Sequence, residues 1–192
     1  VLTAAHVVTG SIRQHVIYKG KAYPCAIVAV HIDYDSNVMG KNDIAIARLQ
    51  RPLKLDFYPE LYTDTNEKGK VCGLAGYGYH GDFNSGYTRG TFDNKRRAGS
   101  NVVDAVNDNC LTYSVHTEPK TTLEFLISPG DSGGGLFIDK KIAGINSYVY
   151  ATDGKSDSDF GDVGCSTRIS DYSKWITKTQ TIIEEIIKNE KS

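Results

Sequence analysis

The sequence lacks a strong net charge and lacks any long apolar run. Its 192 residues include 22 Lys or Arg and 23 Asp or Glu, which gives a formal net charge of −1. A nearly neutral chain gives no electrostatic reason to expect nucleic acid or an anionic membrane as a partner. No apolar segment approaches the length that spans a bilayer. We therefore expect neither a nucleic-acid partner nor a membrane partner.

A serine stands between glycines in the stretch Gly130-Asp131-Ser132-Gly133-Gly134-Gly135. Glycines leave room for a substrate carbonyl to approach the backbone, and they free backbone N–H groups. Two such donors, which we expect to be the N–H groups of Gly130 and Ser132, stabilise the negative oxygen of a tetrahedral intermediate. The stretch predicts a nucleophilic serine, although a glycine-rich turn between two strands would carry the same pattern.

A serine hydroxyl becomes a nucleophile beside a base that a third group orients. All five histidines precede Ser132, which excludes the Ser-acid-His order of α/β-hydrolases. The first acidic residue is Asp33, so an acid-His-Ser order leaves as base only the two histidines that follow it, and neither lies in a comparable motif. The order His, Asp, Ser remains, and the stretches Val1–His6 and Asn42–Leu49 fit it.

With these stretches the chain resembles the trypsin/chymotrypsin-like serine peptidases. The matching segments are Leu2–His6, Asp43–Ala45 and Gly130–Gly134, in the order and near the spacing of that family. Weaker matches extend the resemblance over essentially the whole chain, and they are Gly76–Gly78, Ser147–Val149, and Thr167–Ser170 leading to Trp175-Ile176. Three linked motifs in one order are far more specific than any one of them.

The fold class follows from short strands with turn signals and one helical segment at the end, which predict an all-β protein with a C-terminal helix. The resemblance implies two packed six-stranded antiparallel barrels, the first one incomplete here, with the active site in the cleft between them. We expect residues 1–68 to form the N-terminal barrel and the inter-barrel connection. Residues 69–192 are expected to form the C-terminal barrel and the terminal helix.

Strands are expected where residues alternate or run apolar, at His15–Tyr18, Cys25–Val30, Ile44–Leu49, Val71–Ala75, Val102–Val106, Leu111–Val115, Leu136–Ile138 and Ile142–Tyr150. From Tyr172 to Ile187 apolar residues recur at helical spacing, so we predict a helix capped by Ser170 or Asp171. The acidic stretch Asp153–Asp162 lacks a recognisable calcium-ligand spacing and predicts a solvated surface loop.

The resemblance assigns roles to individual residues. His6 is implied as the general base toward Ser132 and then the general acid toward the leaving amine, and Asp43 orients the imidazole. Ser147 matches a family serine that hydrogen-bonds this aspartate. The implied reaction is hydrolysis of a peptide bond through an acyl-enzyme, with no cofactor and no metal. An esterase with the same residues, or a non-catalytic or weakly active binding protein on this fold, stays open as an alternative.

A primary specificity pocket is also implied by the resemblance. The residue six positions before the nucleophile, which lies at the base of that pocket in the family, is Leu126 here. Val149 and Gly164 are expected on its walls, with Cys165 beside them. An apolar base offers no partner to a buried lysine or arginine, so we expect cleavage after an uncharged, small or medium apolar residue, unless Asp162 enters the pocket.

The cysteines are few, and they are Cys25, Cys72, Cys110 and Cys165. An even number in a secreted chain is compatible with two disulfides. Positions that are often cysteine in the family carry Val7, Ser128 and Ile138 here. We therefore expect mainly unpaired, half-buried thiols.

The first residue, Val1, lies close to His6, whereas the family has further strands before its histidine motif. We expect the sequence to be a fragment of a longer precursor. Without the upstream segment, Asp131 is expected to lack the amino-terminal partner that it has in zymogen-type members. The resemblance implies a secreted or extracytoplasmic monomer that acts on protein or peptide substrates.

Overall fold

In the computed structural model, which describes residues 1–10 and 13–190, two antiparallel sheets and one long helix position the predicted site. The first sheet contains β1 (Leu2–Thr3), β2 (His15–Tyr18), β3 (Lys21–Val30) and β4 (Ala45–Leu49) in the order β1-β4-β3-β2. The short helix α1 (Ala5–Val8) directly follows β1. Because β1 pairs with β4, the start of the chain lies next to the segment that precedes β4.

The second sheet has seven strands in the described residues. Its members are β5 (Val71–Gly76), β8 (Arg97–Val102), β9 (Ala105–Asn107), β10 (Cys110–Ser114), β11 (Gly135–Ile138), β12 (Lys141–Tyr150) and β13 (Val163–Arg168). They are ordered β8-β5-β11-β12-β13-β10-β9. A small separate hairpin pairs β6 (Gly81–Asp82) with β7 (Gly86–Tyr87).

The chain ends in the helix α2 (Ile169–Asn189), whose apolar stripe is buried. Its buried residues Ile169 and Ile176 pack in one hydrophobic cluster with Ile46 of β4 and with Ile44, which directly precedes β4. A second hydrophobic cluster packs on the larger sheet around Tyr113, whose side chain has no exposed surface. Removing such apolar area from water is the main stabilising term of folding. No described helix is long and apolar enough to cross a membrane.

The all-β class and the C-terminal helix expected from the sequence are confirmed. The resemblance implied two six-stranded barrels, the first one incomplete here, and the described residues form a four-stranded and a seven-stranded sheet. All four cysteines are free, with Cys25 half-buried and the other three buried, which agrees with the expectation of unpaired thiols.

Two expectations about local structure are wrong. The predicted strand Val102–Val106 is broken at Val103 and Asp104, where the chain changes its pairing partner from β5 to β10. The predicted caps of the last helix do not cap it. The helix begins at Ile169 with no side-chain cap, and the Ser170 hydroxyl instead donates to Glu67 at 2.9 Å.

Candidate active site

His6 lies in the short helix α1, directly after the fully buried Ala4 and Ala5. These two small residues anchor the helix in the core, while the His6 side chain remains about a third exposed. Pairing of Thr3 with Ala45 brings this helix beside Asp43, two residues before β4. The first predicted pair of site residues is therefore assembled by the edge of the first sheet.

The side chains of His6 and Asp43 are in direct contact. His6 Nδ1 lies 2.7 Å from Asp43 Oδ2, and the His6 backbone N–H donates to Asp43 Oδ1 at 2.9 Å. The Ser147 hydroxyl donates to the same Oδ2 at 2.5 Å, and the Thr167 hydroxyl donates to the Asp43 carbonyl at 2.9 Å. The carboxylate is thus held on both oxygens and cannot swing away from the imidazole.

Asp43 is 2% exposed, yet its carboxyl is charged at neutral pH. Burial acts to raise its pKa, but hydrogen bonds from His6 and Ser147 outweigh that effect and hold the pKa below its ordinary value. An ionised carboxylate only accepts hydrogen bonds, so the proton in this contact belongs to Nδ1 of the imidazole. Nε2 of His6 then carries a free lone pair, with which it can accept a proton.

The loop that carries Ser132 packs against the segment that carries His6. A Cβ at Gly133 would collide with Thr3 Oγ1 and would lie 3.4 Å from a Val7 methyl group. Gly133 also has φ +76°, which favours glycine. Its N–H donates to the Asn146 carbonyl at 2.8 Å and fixes the loop on β12. Among the described hydrogen bonds none joins Ser132 to His6.

Two backbone N–H groups of this loop stay unpaired in the described part of the chain, those of Gly130 and Ser132. The N–H groups that alternate with them are paired, since Asp131 donates to Ser128 and Gly133 donates to Asn146. Gly130 has φ +103°, a conformation that residues with a Cβ rarely adopt. The alternation leaves free the two donors that the sequence predicts for an oxyanion hole.

Asp131, between these donors, turns its carboxylate inward and is 4% exposed. It accepts hydrogen bonds from the Gly78 N–H at 2.8 Å and from the Ser128 N–H at 3.0 Å and hydroxyl at 3.2 Å. A Cβ at Gly76 would overlap Asp131 Oδ1, and one at Gly78 would lie 2.6 Å from Oδ2. The Gly76–Gly78 motif therefore makes room for this carboxylate.

Three of the four predicted pocket residues lie together. A Cβ at Gly164 would lie 2.9 Å from Leu126 Cδ1, and Val149 is the pairing partner of Gly164 and packs on the same core cluster as Leu126. Cys165 is not with them, since it pairs with Tyr148 and lines a separate cavity on the other face of the sheet. Its expected position beside the pocket is wrong because neighbouring strand residues face opposite sides.

That separate cavity has a volume of about 830 Å³, and Cys110, Tyr148 and Cys165 line its floor. Burial raises the pKa of the Cys165 thiol, and burial together with Cys165 raises that of Cys110 to about 12. Such thiols stay protonated and are poor nucleophiles. Gly40 and Lys41, just before Asp43, also line the cavity, so it adjoins the segment that carries Asp43.

Sequence reasoning missed two residues that hold the site together. Thr167 bonds the backbone of Asp43, and the Asn146 amide bonds the carbonyl of Asp131 at 3.3 Å and the Ser166 hydroxyl at 3.1 Å. Both are fully buried polar residues in strands. The sequence could have pointed to them, because each is a polar residue within a strand that is otherwise largely buried. Buried polar side chains are retained when they are hydrogen-bonded.

Comparisons with known proteins show the family and the fold of this chain. The family model described as Trypsin matches residues 1–176. Among solved structures, neuropsin, a serine protease expressed in the limbic system of mouse brain, matches with a TM-score of 0.71 and 21% identity. The match covers 93% of this chain and 83% of the neuropsin chain, and at this identity it establishes likeness of fold. No curated protein sequence gives a significant match.

Proposed function

Since the chain belongs to the trypsin family, we propose that it is a serine endopeptidase that uses His6, Asp43 and Ser132. The observation that carries this proposal is the 2.7 Å contact between His6 Nδ1 and Asp43 Oδ2, on a carboxylate that Ser147 also holds. This contact fixes the tautomer that leaves Nε2 as a base. The packing of Gly133 against Thr3 supports a position for Ser132 beside that base.

The proposed reaction has two halves. In the first, His6 Nε2 takes the proton of Ser132 Oγ as the oxygen attacks the peptide carbonyl. The N–H groups of Gly130 and Ser132 hold the resulting oxyanion. The imidazolium then gives its proton to the leaving amine, and an ester on Ser132 remains. In the second half, a water molecule deprotonated by His6 hydrolyses this ester. Substrate binding has to tighten the Ser132–His6 pair, as is common for catalytic hydrogen bonds in free enzymes.

The proposed substrate is a protein or peptide with an uncharged, small or medium apolar residue before the cleaved bond. Leu126 supplies an apolar base, and Gly164 lies against Tyr113 and Leu126, which narrows the space. Asp162, which could have reversed this preference, is fully buried and accepts a hydrogen bond from the Ser158 N–H at 2.9 Å. A lysine or arginine in this pocket would be left without a partner.

We further propose that residues 1–68 and 69–192 act as the two halves of a secreted, monomeric enzyme. His6 and Asp43 come from the first half and Ser132 from the second. The support is that the first sheet and the larger sheet meet at the site, where Thr167 of β13 bonds Asp43. Substrate would then bind across this junction.

A weakly active or inactive protein is the second candidate, and one observation favours it. Asp131 is buried, and no cationic group pairs with it in the part of the chain that the structure describes. An unpaired buried carboxylate is unfavourable, and rotation of its backbone would move the Gly130 N–H. An esterase with the same three residues is the remaining alternative.

Labelling with a fluorophosphonate probe tests the proposal. Wild type should be labelled on Ser132, Ser132→Ala should not, and Asp43→Asn should react much more slowly while it remains folded. Lack of labelling in a folded wild type would favour the inactive alternative. A peptide library, compared with simple esters, then distinguishes a peptidase from an esterase and reads the preference at the cleaved bond.

A further inference from the structure

Three carboxylates lie together in the loop that joins β12 to β13. One oxygen from each of Asp157, Asp159 and Asp162 lies within 4.8 Å of the others. Asp162 has no exposed surface, and while its Oδ2 accepts the Ser158 N–H, its Oδ1 has no hydrogen-bond partner among the described residues. Asp157 Oδ1 is likewise buried and unpartnered there. The sequence-based expectation of a solvated loop is therefore wrong for Asp162.

The loop is anchored to three other parts of the molecule. The Asp157 carbonyl accepts the Tyr87 N–H at 2.7 Å, and the Ser158 hydroxyl donates to the Ile127 carbonyl at 2.7 Å. The Phe160 N–H donates to the carbonyl of Phe83 at 2.9 Å. A Cβ at Gly86 would lie 2.8 Å from the Asp157 carboxyl carbon, so only glycine leaves that side chain its position. These anchors fix the acidic group in one arrangement.

No ion pair among the described residues balances the negative charges of this group. In the described residues no lysine or arginine forms an ion pair with any of the three aspartates. Buried carboxylates are retained when they are paired, protonated or bound to a metal. Two buried oxygens without partners require one of these last two states.

We propose that Asp157, Asp159 and Asp162 together bind one Ca²⁺ ion. Oxygen-only ligand sets select hard cations over transition metals. Two oxygens on one Ca²⁺ ion are at most about 5 Å apart, because each Ca–O distance is about 2.3–2.6 Å. Three oxygens that all lie within 4.8 Å of one another are close enough to be brought onto one such ion by small side-chain movements. The unpartnered Oδ1 atoms of Asp157 and Asp162 are free to serve as two of its ligands.

Binding would stabilise the loop and the two segments that it joins. Ser158 ties the loop to Ile127, which follows Leu126, and Asp162 directly precedes β13. The ion would therefore hold the start of β13 against the 126–127 segment. The binding itself does not depend on the proposed peptidase activity, because all three ligands lie outside the His6–Asp43–Ser132 group.

Calorimetric titration and thermal unfolding of the chain test this proposal. We expect wild type, stripped with a chelator, to bind one equivalent of Ca²⁺ and to unfold at a higher temperature as Ca²⁺ is added. Asp162→Asn should weaken Ca²⁺ binding by about a hundredfold or more. The matched control is Asp153→Asn, which changes an exposed aspartate of the same loop whose carboxylate accepts the Lys155 N–H. It should keep the affinity of wild type.

A second measurement separates loss of a ligand from misfolding. Without Ca²⁺, Asp162→Asn should unfold at the same temperature as wild type or higher, because a neutral amide replaces an unpaired buried charge. With Ca²⁺ present, wild type should unfold at a higher temperature than Asp162→Asn. The proposal is overturned if wild type shows neither heat nor a shift in Tm up to about 10 mM Ca²⁺, beyond the range of weak extracellular sites. It is also overturned if Na⁺ at equal concentration gives the same shift, or if both variants bind like wild type.

Discussion

The guanidinium of Arg168 donates two hydrogen bonds of 2.8 Å to the fully buried carboxylate of Glu67, from Nε to Oε1 and from Nη2 to Oε2. Glu67 belongs to the connection before β5, and Arg168 is the last residue before α2. The Ser170 hydroxyl adds a third hydrogen bond to the same carboxylate. This pair therefore joins the connection between the two sheets to the start of the terminal helix.

We expect Arg168→Met to lower the free energy of unfolding by about 3 kcal/mol. Removing one partner of a buried pair leaves an uncompensated charge, and the value is taken at the lower end of the usual range because Arg168 reaches partly into solvent. Urea denaturation measures the loss. The matched control is Arg97→Met, which breaks the Arg97–Asp93 pair at the surface and should have a much smaller effect. Equal effects of the two changes would contradict the buried role of Glu67.

Acid should remove the contribution of the same pair. Burial acts to raise the pKa of Glu67, but hydrogen bonds from Arg168 and Ser170 hold that pKa below its ordinary value. Such a carboxylate contributes stability that is fully present above its unfolded pKa, about 4.3, and is lost as pH falls through the folded pKa. In Arg168→Met the buried Glu67 carboxyl loses its cationic partner, so its pKa should lie above the ordinary value. The stability difference between wild type and Arg168→Met should therefore shrink as pH falls through this raised pKa, and further until Glu67 of wild type is protonated. Urea titrations at several pH values measure it, and a difference that persists undiminished to about pH 2 would refute the assignment.

Ser147 should act on the proposed reaction through Asp43. Ser147→Ala removes a hydroxyl that donates to Asp43 Oδ2, and a hydrogen bond to a charged group is worth about 1.5–3 kcal/mol. We expect kcat/KM to fall about tenfold or more. The pKa of Asp43 should also rise, because this hydrogen bond is one of its lowering causes. Titration of the Asp43 carboxyl, followed by NMR, measures this rise.

Ser114→Ala is the control for that experiment. Ser114 is as buried as Ser147, and its hydroxyl also donates to a carboxylate, that of Asp104 at 2.7 Å. It donates to Asp104 instead of Asp43, so it should affect stability but neither kcat/KM nor the pKa of Asp43. If both variants lower kcat/KM and raise that pKa alike, Ser147 has no specific role in positioning Asp43.

The candidate site was predictable from sequence where a short motif determines the geometry. His6, Asp43 and the Ser132 loop each lie in such a motif, and the structure brings His6 and Asp43 into contact. Cys165 could not be placed in the same way. It follows Gly164 in β13, so the two residues face opposite sides of the sheet. The sequence did not predict β13 as a strand, so this alternation was not foreseen.

Long-range packing explains the other differences from the sequence. β13 was not expected as a strand, because Gly164, Ser166 and Thr167 interrupt its apolar pattern. These residues are buried because they bond other buried groups, as Thr167 does with Asp43. The start of α2 likewise depends on Glu67, about a hundred residues earlier in the chain. A local pattern cannot report partners so distant in sequence.

Gly133→Ala should slow the proposed reaction by moving Ser132 away from His6. Two effects act at this position, the φ of +76° and the collision of a new Cβ with Thr3 Oγ1. Gly69→Ala isolates the cost of the left-handed backbone, since Gly69 has φ +81° and a Cβ there would meet no other atom within 4 Å. Both variants should lose about 1–2 kcal/mol of stability from the left-handed backbone, but only Gly133→Ala should lower kcat strongly.

A second substitution tests the collision itself. Adding Thr3→Ala to the Gly133→Ala variant removes the colliding oxygen and should restore part of the rate, measured as the rate of fluorophosphonate labelling. Labelling of Gly133→Ala at the wild-type rate, or no gain from Thr3→Ala, would show that this contact does not position the nucleophile.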